Sequence, residues 1–312
     1  MKKTFFTQVM PVTALLAFAS LSIGQDDSAF QASIERIKQT VPKEPHVKPE
    51  KARKLLIFTV TNGWKHPSIP VGTAAFRIMG EETGAYEPVV SNDLSNFEKE
   101  NISEYAAICF LNTTGEPFSP SKEALEAMNE EEKKEAAEYS DELKESFMNF
   151  VKNGGGFVGI HSATDTFYEW PEYGEMINGY FDGHPWNSDM DVSVKVEPGK
   201  EKHRLVSMFE GENLEFKEEI YQLKDPYDSS EVDMVLRLDT EKTNMDVKGV
   251  KRTDGDFGVA WSRPWGKGRV FYSSLGHNEH IYMNNKVMRH YLAGIQYAIG
   301  DYDLNQGTSE KD

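Results

Sequence analysis

Residues 154–165 of the chain read Gly154-Gly155-Gly156-Phe157-Val158-Gly159-Ile160-His161-Ser162-Ala163-Thr164-Asp165, and the rest of the sequence is organised around them. The glycines are typical of a helix end, because glycine readily adopts the left-handed conformation that reverses the chain. The apolar residues that follow predict a strand buried on both faces. Ligands of parallel sheets bind beyond the carboxyl ends of such strands. We therefore expect His161, which follows the strand directly, to lie in a binding crevice.

Strands alternate with helices over the first half of the chain. We predict strands at Lys54–Thr61, Glu87–Ser91 and Tyr105–Thr113, and a long charged helix at Ser121–Lys152. Such alternation is typical of an α/β fold with a mainly parallel sheet flanked by helices. In a sheet of flavodoxin-like order, the first, third and fourth strands are neighbours.

The second half changes to an alternation of apolar and polar side chains. This pattern predicts half-exposed, antiparallel strands added to one edge of the sheet. The predicted elements are edge strands at Val192–Val196, Leu214–Tyr221 and Met234–Leu238, a hairpin of Phe257–Trp261 with Arg269–His277, and a final helix at Asn284–Ile299.

The first 24 residues are typical of a secretory signal peptide. Lys2 and Lys3 precede an apolar run, Val12–Ile23, that is too short to predict a membrane span. The only cysteine, Cys109, is far from the expected cleavage site, so a lipid-modified cysteine is not expected there. We therefore expect an exported protein without a membrane anchor, periplasmic or extracellular.

The remaining chain predicts a single domain with polar ends. Residues 25–53 form a polar leader that we expect to lie over the surface or to be disordered. Residues 54–301 form the α/β domain, and residues 302–312 form a polar tail. One cysteine cannot form an internal disulfide, so we expect a hydrophobic core to stabilise the domain.

The composition excludes one class of partner. The chain carries 51 acidic and 34 basic residues, with a formal net charge of −17. Such a surface repels phosphate backbones, so we expect no nucleic-acid partner. The sequence leaves open whether the chain forms a homo-oligomer.

Four of the eight histidines follow a strand or a glycine and have small or polar neighbours. They are His66, His161, His184 and His277. Because the carboxyl ends of parallel strands meet at one edge, His66, Asn112 or Thr113, and His161 should share one crevice, which His277 joins if its strand is a neighbour. Each histidine alone is equally compatible with a structural role, whereas their convergence favours a site.

Several segments resemble the ThuA, or trehalose utilisation, family. They are Gly154–His161, Gly183-His184-Pro185, Glu219-Ile220-Tyr221, Gly266–Tyr272 and Leu275-Gly276-His277. The resemblance covers about Lys54 to Asp301. It implies a class I glutamine amidotransferase-like fold, which is flavodoxin-like, and a role in the catabolism of sugars, especially trehalose and keto-sugar intermediates.

The same resemblance indicates that glutamine amidotransferase activity is not expected. Amidotransferases of this fold carry a nucleophilic cysteine at the turn between a strand and a helix, where the helix N-terminus lowers the thiol pKa. Here His161 occupies that turn. Cys109 lies inside an apolar run, which predicts a buried, inert thiol.

Histidine with a carboxylate suits proton transfer beside a carbonyl or a glycosidic oxygen. We predict acid and base roles for His161 and Glu219, with His184 and His277 completing the catalytic set. A solvent-facing position is the alternative for Glu219. Aromatic faces commonly line sugar sites, although Trp261 is predicted to be core. The predicted substrate contacts are Asn62, Trp64, His66, Thr113, Asp165, Trp186 and Tyr221.

The leading hypothesis is therefore an exported, cofactor-free enzyme that acts on a small sugar or keto-sugar. One alternative is a non-catalytic sugar-binding module. Another is a hydrolase in which the histidines and one carboxylate hold zinc or another divalent metal. The sequence contains no HExxH or CxxC spacing, so the metal takes second place.

Export predicts that the protein isolated from its native host begins near Gln25, because signal peptidase removes the preceding residues. Intact-mass measurement and cell fractionation check this expectation. Native material that retains Met1 and stays in the cytoplasm would contradict it.

Overall fold

The structure, a computed structural model, describes residues 25–51 and 53–304. The helices are α1 (Gln25–Thr40), α2 (Ile69–Thr83), α3 (Lys122–Ala127), α4 (Glu130–Lys152), α5 (Pro171–Ile177) and α6 (Asn285–Ala298). The strands are β1 (Lys54–Phe58), β2 (Glu87–Val90), β3 (Tyr105–Leu111), β4 (Gly156–Ile160), β5 (Tyr180–Phe181), β6 (Asp191–Val196), β7 (Leu214–Lys217), β8 (Leu223–Lys224), β9 (Asp233–Leu238), β10 (Gly258–Trp265) and β11 (Gly268–Ser273). The predicted signal peptide and residues 305–312 of the predicted tail lie outside the described residues.

Nine strands form one mixed sheet in the order β2-β1-β3-β4-β11-β10-β9-β6-β7. The first five are mutually parallel, and the remaining pairs are antiparallel. The prediction of an α/β, flavodoxin-like sheet with antiparallel strands added at one edge is confirmed. A separate two-stranded sheet, β5 with β8, lies outside it.

The sheet separates two hydrophobic cores. Ile57, Cys109 and Val158 face the core that contains α2 and α6, whereas Leu56, Phe110 and other alternate residues face the core that contains α4 and α5. This division follows from the two-residue period of a strand. Strands buried on both faces need unbroken apolar runs, and the sequence reading detected that signal.

Gly156 sets the approach of α6 to the sheet. A Cβ atom at this position would lie 2.3 Å from the carbonyl oxygen of Ala298, so any larger residue would push the helix end away. Gly154, just before it, has a φ of 122°, a conformation that other residues rarely adopt. The glycine run therefore fixes where β4 begins, and with it the position of His161.

Residues 25–51, part of the polar leader expected to lie over the surface or to be disordered, contain a helix that was not predicted. Gln25–Thr40 is a helix that packs against α2, and both Ile37 and Val41 are buried. Phe30, Ile34, Ile37 and Val41 recur at helical spacing, which forms a narrow apolar stripe among many charges. The sequence reading missed this stripe because it is only one residue wide.

The single helix predicted at Ser121–Lys152 is also wrong, because α3 and α4 are separate. The Asn129 side chain accepts hydrogen bonds from the backbone N–H groups of Glu131 and Glu132, at 2.9 and 3.0 Å. The Glu132 carboxylate accepts one from the Asn129 N–H at 2.8 Å, which completes a capping box. The helix therefore restarts at Glu130.

Cys109 is completely buried in β3, and burial raises the pKa of its thiol. This is the environment of an inert, structural cysteine, as the sequence predicted. Among the helices of the described residues, none has the length and apolar character needed to span a membrane.

His290 gives a pH test of the fold. It is fully buried in α6, its Nδ1–H donates to the Leu205 carbonyl at 2.6 Å, and burial lowers its pKa to about 4. The unfolded chain, with a histidine pKa of about 6.5, binds the proton more tightly, so stability falls as the pH drops through this window. Between pH 6.5 and pH 5, we expect His290 to contribute a loss of about 2 kcal/mol.

His290→Gln keeps a donor for the Leu205 carbonyl but cannot titrate. Urea unfolding of both proteins between pH 7 and pH 5 should therefore show a shallower loss of stability in the variant. His46, whose pKa burial also lowers to about 4, is present in both proteins and cancels in the comparison. Parallel pH profiles would contradict the assignment.

Candidate functional site

Four side chains from distant segments meet at the carboxyl edge of the parallel strands. His66 lies between β1 and α2, His161 follows β4, His277 follows β11, and Glu219 follows β7. One ligand atom from each lies within 4.8 Å of the others. We call these four residues the His/Glu cluster. The predicted strand order placed His66 and His161 in one crevice, with His277 added if its strand was a neighbour. In the structure, β11 lies beside β4 and ends just before His277.

His161 is held on both ring nitrogens. Its Nδ1–H donates to the Ser274 carbonyl at 2.7 Å, and its Nε2 accepts from the Tyr221 hydroxyl at 2.9 Å. The residue has a φ of 50°, which is uncommon for a non-glycine residue and is typical of functional sites. It is fully buried, and burial lowers its pKa, so the neutral ring has one lone pair, on Nε2, which the Tyr221 hydroxyl engages.

His66 is a second neutral imidazole in the cluster. Only 3% of it is exposed, and burial, with smaller contributions from His161 and His277, lowers its pKa to about 3. Its ring is perpendicular to those of His161 and His277, with centroids 4.9 and 5.1 Å away. Three imidazole edges therefore converge on one small volume.

Glu219 is the carboxylate that these rings surround. Its Oε1 lies 3.2 Å from His277 Nδ1 and 3.6 Å from His161 Nε2, and its Oε2 lies 3.4 Å from His184 Nδ1. Burial opposes ionisation, but the imidazoles outweigh it, and the pKa of Glu219 is lowered. Only 6% of the residue is exposed, so the solvent-facing alternative is wrong.

His277 Nδ1 is a buried nitrogen with no hydrogen bond to any described residue. It does, however, form an ion pair with Glu219 Oε1 at 3.2 Å, and the interaction with Glu219 outweighs the effect of burial and raises the pKa of His277. An unpaired buried nitrogen is costly, and a bound cation would satisfy it. Apart from the Glu219 carboxylate, this nitrogen has no polar partner among the described residues.

The cluster could bind a divalent metal. Imidazole nitrogens and one carboxylate form a donor set that zinc favours. The Ser274 carbonyl fixes the tautomer of His161, as an outer partner of a metal ligand usually does. The sequence ranked the metal second because no ligand-spacing motif was found. Here each ligand comes from a different segment, so no local motif exists to be found.

Three predicted residues lie outside the four-residue His/Glu cluster. His184 has a side chain that is 45% exposed, and its Nδ1 lies 3.0 Å from Asn187 Oδ1. Trp64 is 66% exposed on the loop that carries His66. Asp165 is half-buried and accepts a hydrogen bond from the Tyr168 hydroxyl, and burial raises its pKa.

Other predicted contacts have different positions. Trp186 is wrong as a binding residue, because it is fully buried, packs edge-on against Phe257 and donates its indole N–H to a backbone carbonyl. Thr113 is buried against Thr166, at 3.0 Å between hydroxyls. Asn62 uses its amide nitrogen to hold the 116–119 loop, and Tyr221 contacts His161. Trp261 is core, as predicted.

Sequence reasoning missed Glu218. Its side chain is entirely buried, and its carboxylate accepts hydrogen bonds from the backbone N–H groups of Gly276, His277 and Asn278. Burial raises the pKa of Glu218 to about 7, although the three N–H groups favour the ionised form. The sequence predicted one strand over Leu214–Tyr221, in which Glu218 and Glu219 would face opposite sides. Instead, β7 ends at Lys217, and both glutamates are buried.

Solved structures define the class of fold. A ThuA-like protein from Bacteroides uniformis has a TM-score of 0.55 and 22% identity, covering 81% of this chain and 91% of its own. A ThuA-like protein from Parabacteroides merdae has a TM-score of 0.52 and 17% identity, covering 83% and 94%. A cytoplasmic protein from Salmonella typhimurium LT2 has a TM-score of 0.52 and 10% identity, covering 79% and 99%. Fold and site thus define a flavodoxin-like α/β protein with a His/Glu cluster.

The family follows from the sequence. A profile of the ThuA family, described as trehalose utilisation, matches residues 54–298, well over half of the chain. The chain belongs to the ThuA family, and the resemblance read from its motifs is confirmed. None of the curated proteins compared with the chain matches it.

A metal in the His/Glu cluster predicts stabilisation by Zn²⁺. A cation that binds only the folded state adds about 2.7 kcal/mol to the free energy of unfolding at 100 times its Kd. Urea unfolding of protein first stripped with a chelator, with and without added Zn²⁺, measures this gain.

His66→Ala removes one ligand and should lose most of that gain. The matched control is His280→Ala, because His280 is an exposed histidine outside the cluster. An equal gain in His66→Ala and in the wild type would place the metal elsewhere.

Proposed function

We propose that this protein is a carbohydrate-active enzyme and that the His/Glu cluster is its active site, occupied by a divalent cation of the zinc class. The observation that carries the proposal is the convergence of three imidazoles and one ionised carboxylate within 4.8 Å, with His277 Nδ1 lacking any polar partner other than that carboxylate. The family's description as trehalose utilisation supports a sugar as substrate.

When bound, a divalent cation would act as a Lewis acid toward a substrate oxygen or would activate water. The cluster residues have the states that such a role needs. Two imidazoles are held neutral by burial, and Glu219 is held ionised by its neighbours. His161 is additionally fixed in orientation by the Ser274 carbonyl, and its Nε2 would bind a cation once the Tyr221 hydroxyl turns away.

His184 is the residue placed to move a proton between the cluster and the substrate. It is the exposed member of the predicted catalytic set, and it contacts Glu219 Oε2 at 3.4 Å. The Asn187 side chain lies 3.0 Å from its Nδ1 and orients the ring. Imidazole can both accept and donate a proton near neutral pH, as acid and base catalysis at one position requires.

Trp64 offers the surface on which a sugar ring would rest. Its indole is 66% exposed although the loop beneath it is anchored, since the Thr114 hydroxyl donates to the Trp64 carbonyl at 3.0 Å. Aromatic faces bind the apolar C–H face of sugars. A keto-sugar is the preferred substrate class, because its carbonyl is the group that a Lewis acid polarises.

A second candidate is metal-free acid and base catalysis by His161 and Glu219. The observation that favours it is the 2.9 Å contact between the Tyr221 hydroxyl and His161 Nε2, which occupies the lone pair that a metal would need. In this version, Glu219 and the histidines exchange the proton themselves. Chelation separates the two versions, because only the metal enzyme loses activity with a chelator.

We also propose export, which rests on residues 1–24 of the sequence. The enzyme would then meet its sugar outside the cytoplasm. The high negative charge is compatible with a small, uncharged substrate.

Turnover of a sugar panel tests the proposed function. Purified protein is incubated with disaccharides, including trehalose, and with their 3-keto forms, and the products are separated by chromatography with mass detection. We expect turnover of at least one keto-sugar, its loss after chelation, and its recovery with Zn²⁺. Binding without turnover across the panel would favour a sugar-binding module.

His161→Ala should lower that turnover by about 100-fold or more, the scale of losing a catalytic acid, base or ligand. His161→Gln can still hydrogen-bond but cannot carry a proton at neutral pH, so it should be similarly impaired. Thermal unfolding checks that both variants fold, and His280→Ala serves as the active control. Folded His161→Ala with full activity would place the site elsewhere.

A further inference from the structure

Glu218 lies behind the His/Glu cluster, one residue before Glu219. Its Oε1 accepts from the N–H groups of Gly276 and His277 at 2.8 and 2.6 Å, and its Oε2 accepts from that of Asn278 at 3.1 Å. Three successive N–H groups thus enclose one carboxylate, an arrangement that binds anions well. Adjacent glutamates therefore face opposite ends of the same residue, because Glu218 holds the backbone of His277 and Glu219 faces its imidazole.

The segment that Glu218 holds is also tied from its other side. The Gly276 carbonyl accepts from the Ser68 hydroxyl at 2.9 Å, the Asn112 amide at 3.1 Å and the Tyr282 hydroxyl at 3.0 Å. Ser68 is two residues after His66, and Asn112 directly follows the last residue of β3. The peptide groups around Gly276 therefore connect the segments of two cluster histidines to one carboxylate.

The backbone at Gly276 is closely packed against neighbouring side chains. Its φ is 138°, and a Cβ atom there would lie 2.7 Å from the Tyr282 hydroxyl and 3.3 Å from His161 Cβ. The 276–278 turn therefore has close contacts on one side and the buried Glu218 carboxylate on the other. Its position fixes where the His277 imidazole enters the cluster.

We infer that Glu218 is a positioning residue of the metal centre, which sets the His277 imidazole at the distance a shared cation requires. The inference rests on the proposed function, because it assigns Glu218 a role toward the same metal. A carboxylate is specifically needed, since both of its oxygens accept hydrogen bonds. An amide would place N–H donors against one of the backbone N–H groups and would lose at least one of the three bonds.

The test compares Glu218→Gln with the wild type and with Glu215→Gln. Glu215 is an exposed glutamate of β7, outside the cluster, whose carboxylate accepts from Ser193 at 2.7 Å. Affinity for Zn²⁺ is measured by competition with a chromophoric chelator, and the geometry of the site is read from the visible absorption of the Co²⁺-loaded protein. Loss of an outer partner of a metal site typically weakens affinity by about 10- to 100-fold. We expect that loss, with an altered Co²⁺ spectrum, only in Glu218→Gln.

The outcomes distinguish this inference from the proposed function. If the wild type binds Zn²⁺ and folded Glu218→Gln binds it equally well with the same Co²⁺ spectrum, the positioning role is wrong and the metal centre stands. If the wild type binds no metal, the metal centre fails and the inference fails with it. If Glu218→Gln does not fold, Glu218→Asp is tested instead. Aspartate keeps both carboxylate oxygens, but its side chain is one methylene shorter, so the oxygens lie farther from the three backbone N–H groups. Unchanged affinity in Glu218→Asp would overturn the positioning role.

Discussion

The burial of an ionised carboxylate among three imidazole rings is the constraint on which this structure depends. A lone buried charge costs several kcal/mol, and such a group persists only where neighbours compensate it. Around Glu219, the imidazoles outweigh the cost of burial, although two of the rings are neutral and His277 Nδ1 has only this carboxylate as a polar partner. A cation bound in the cluster, as proposed, would contact the carboxylate and would replace the Tyr221 hydroxyl at His161 Nε2.

The fold around that centre could be predicted from the sequence because its signals are local. β1, β3 and β4 are buried on both faces and therefore appear as unbroken apolar runs, and the glycine run before β4 marks its start. The rule that ligands bind at the carboxyl ends of parallel strands then placed His66 and His161 together without any knowledge of contacts. Elements with a wide apolar face were therefore placed correctly from the sequence.

The remaining features depend on contacts that no local pattern records. The two-residue alternation assigned Glu218 and Glu219 to opposite faces of a strand, whereas β7 ends before them and both turn inward. Trp186, beside a proline in an apparent loop, was predicted to contact the substrate, but it is buried against Phe257 and donates to a distant backbone carbonyl. The narrow stripe of α1 was lost among charges, because each turn contributes only one large apolar residue.

The wide separation of the cluster residues along the chain has a consequence for the timing of assembly. His66 lies near the start of the folded domain, and His277 follows β11, the last strand to be synthesised. A nascent chain contains all four cluster residues only after His277 has been synthesised. The cluster therefore cannot be complete until almost the whole domain has emerged from the ribosome. If the chain crosses a membrane before folding, as proposed, any cation bound by the cluster would come from the compartment that the chain reaches.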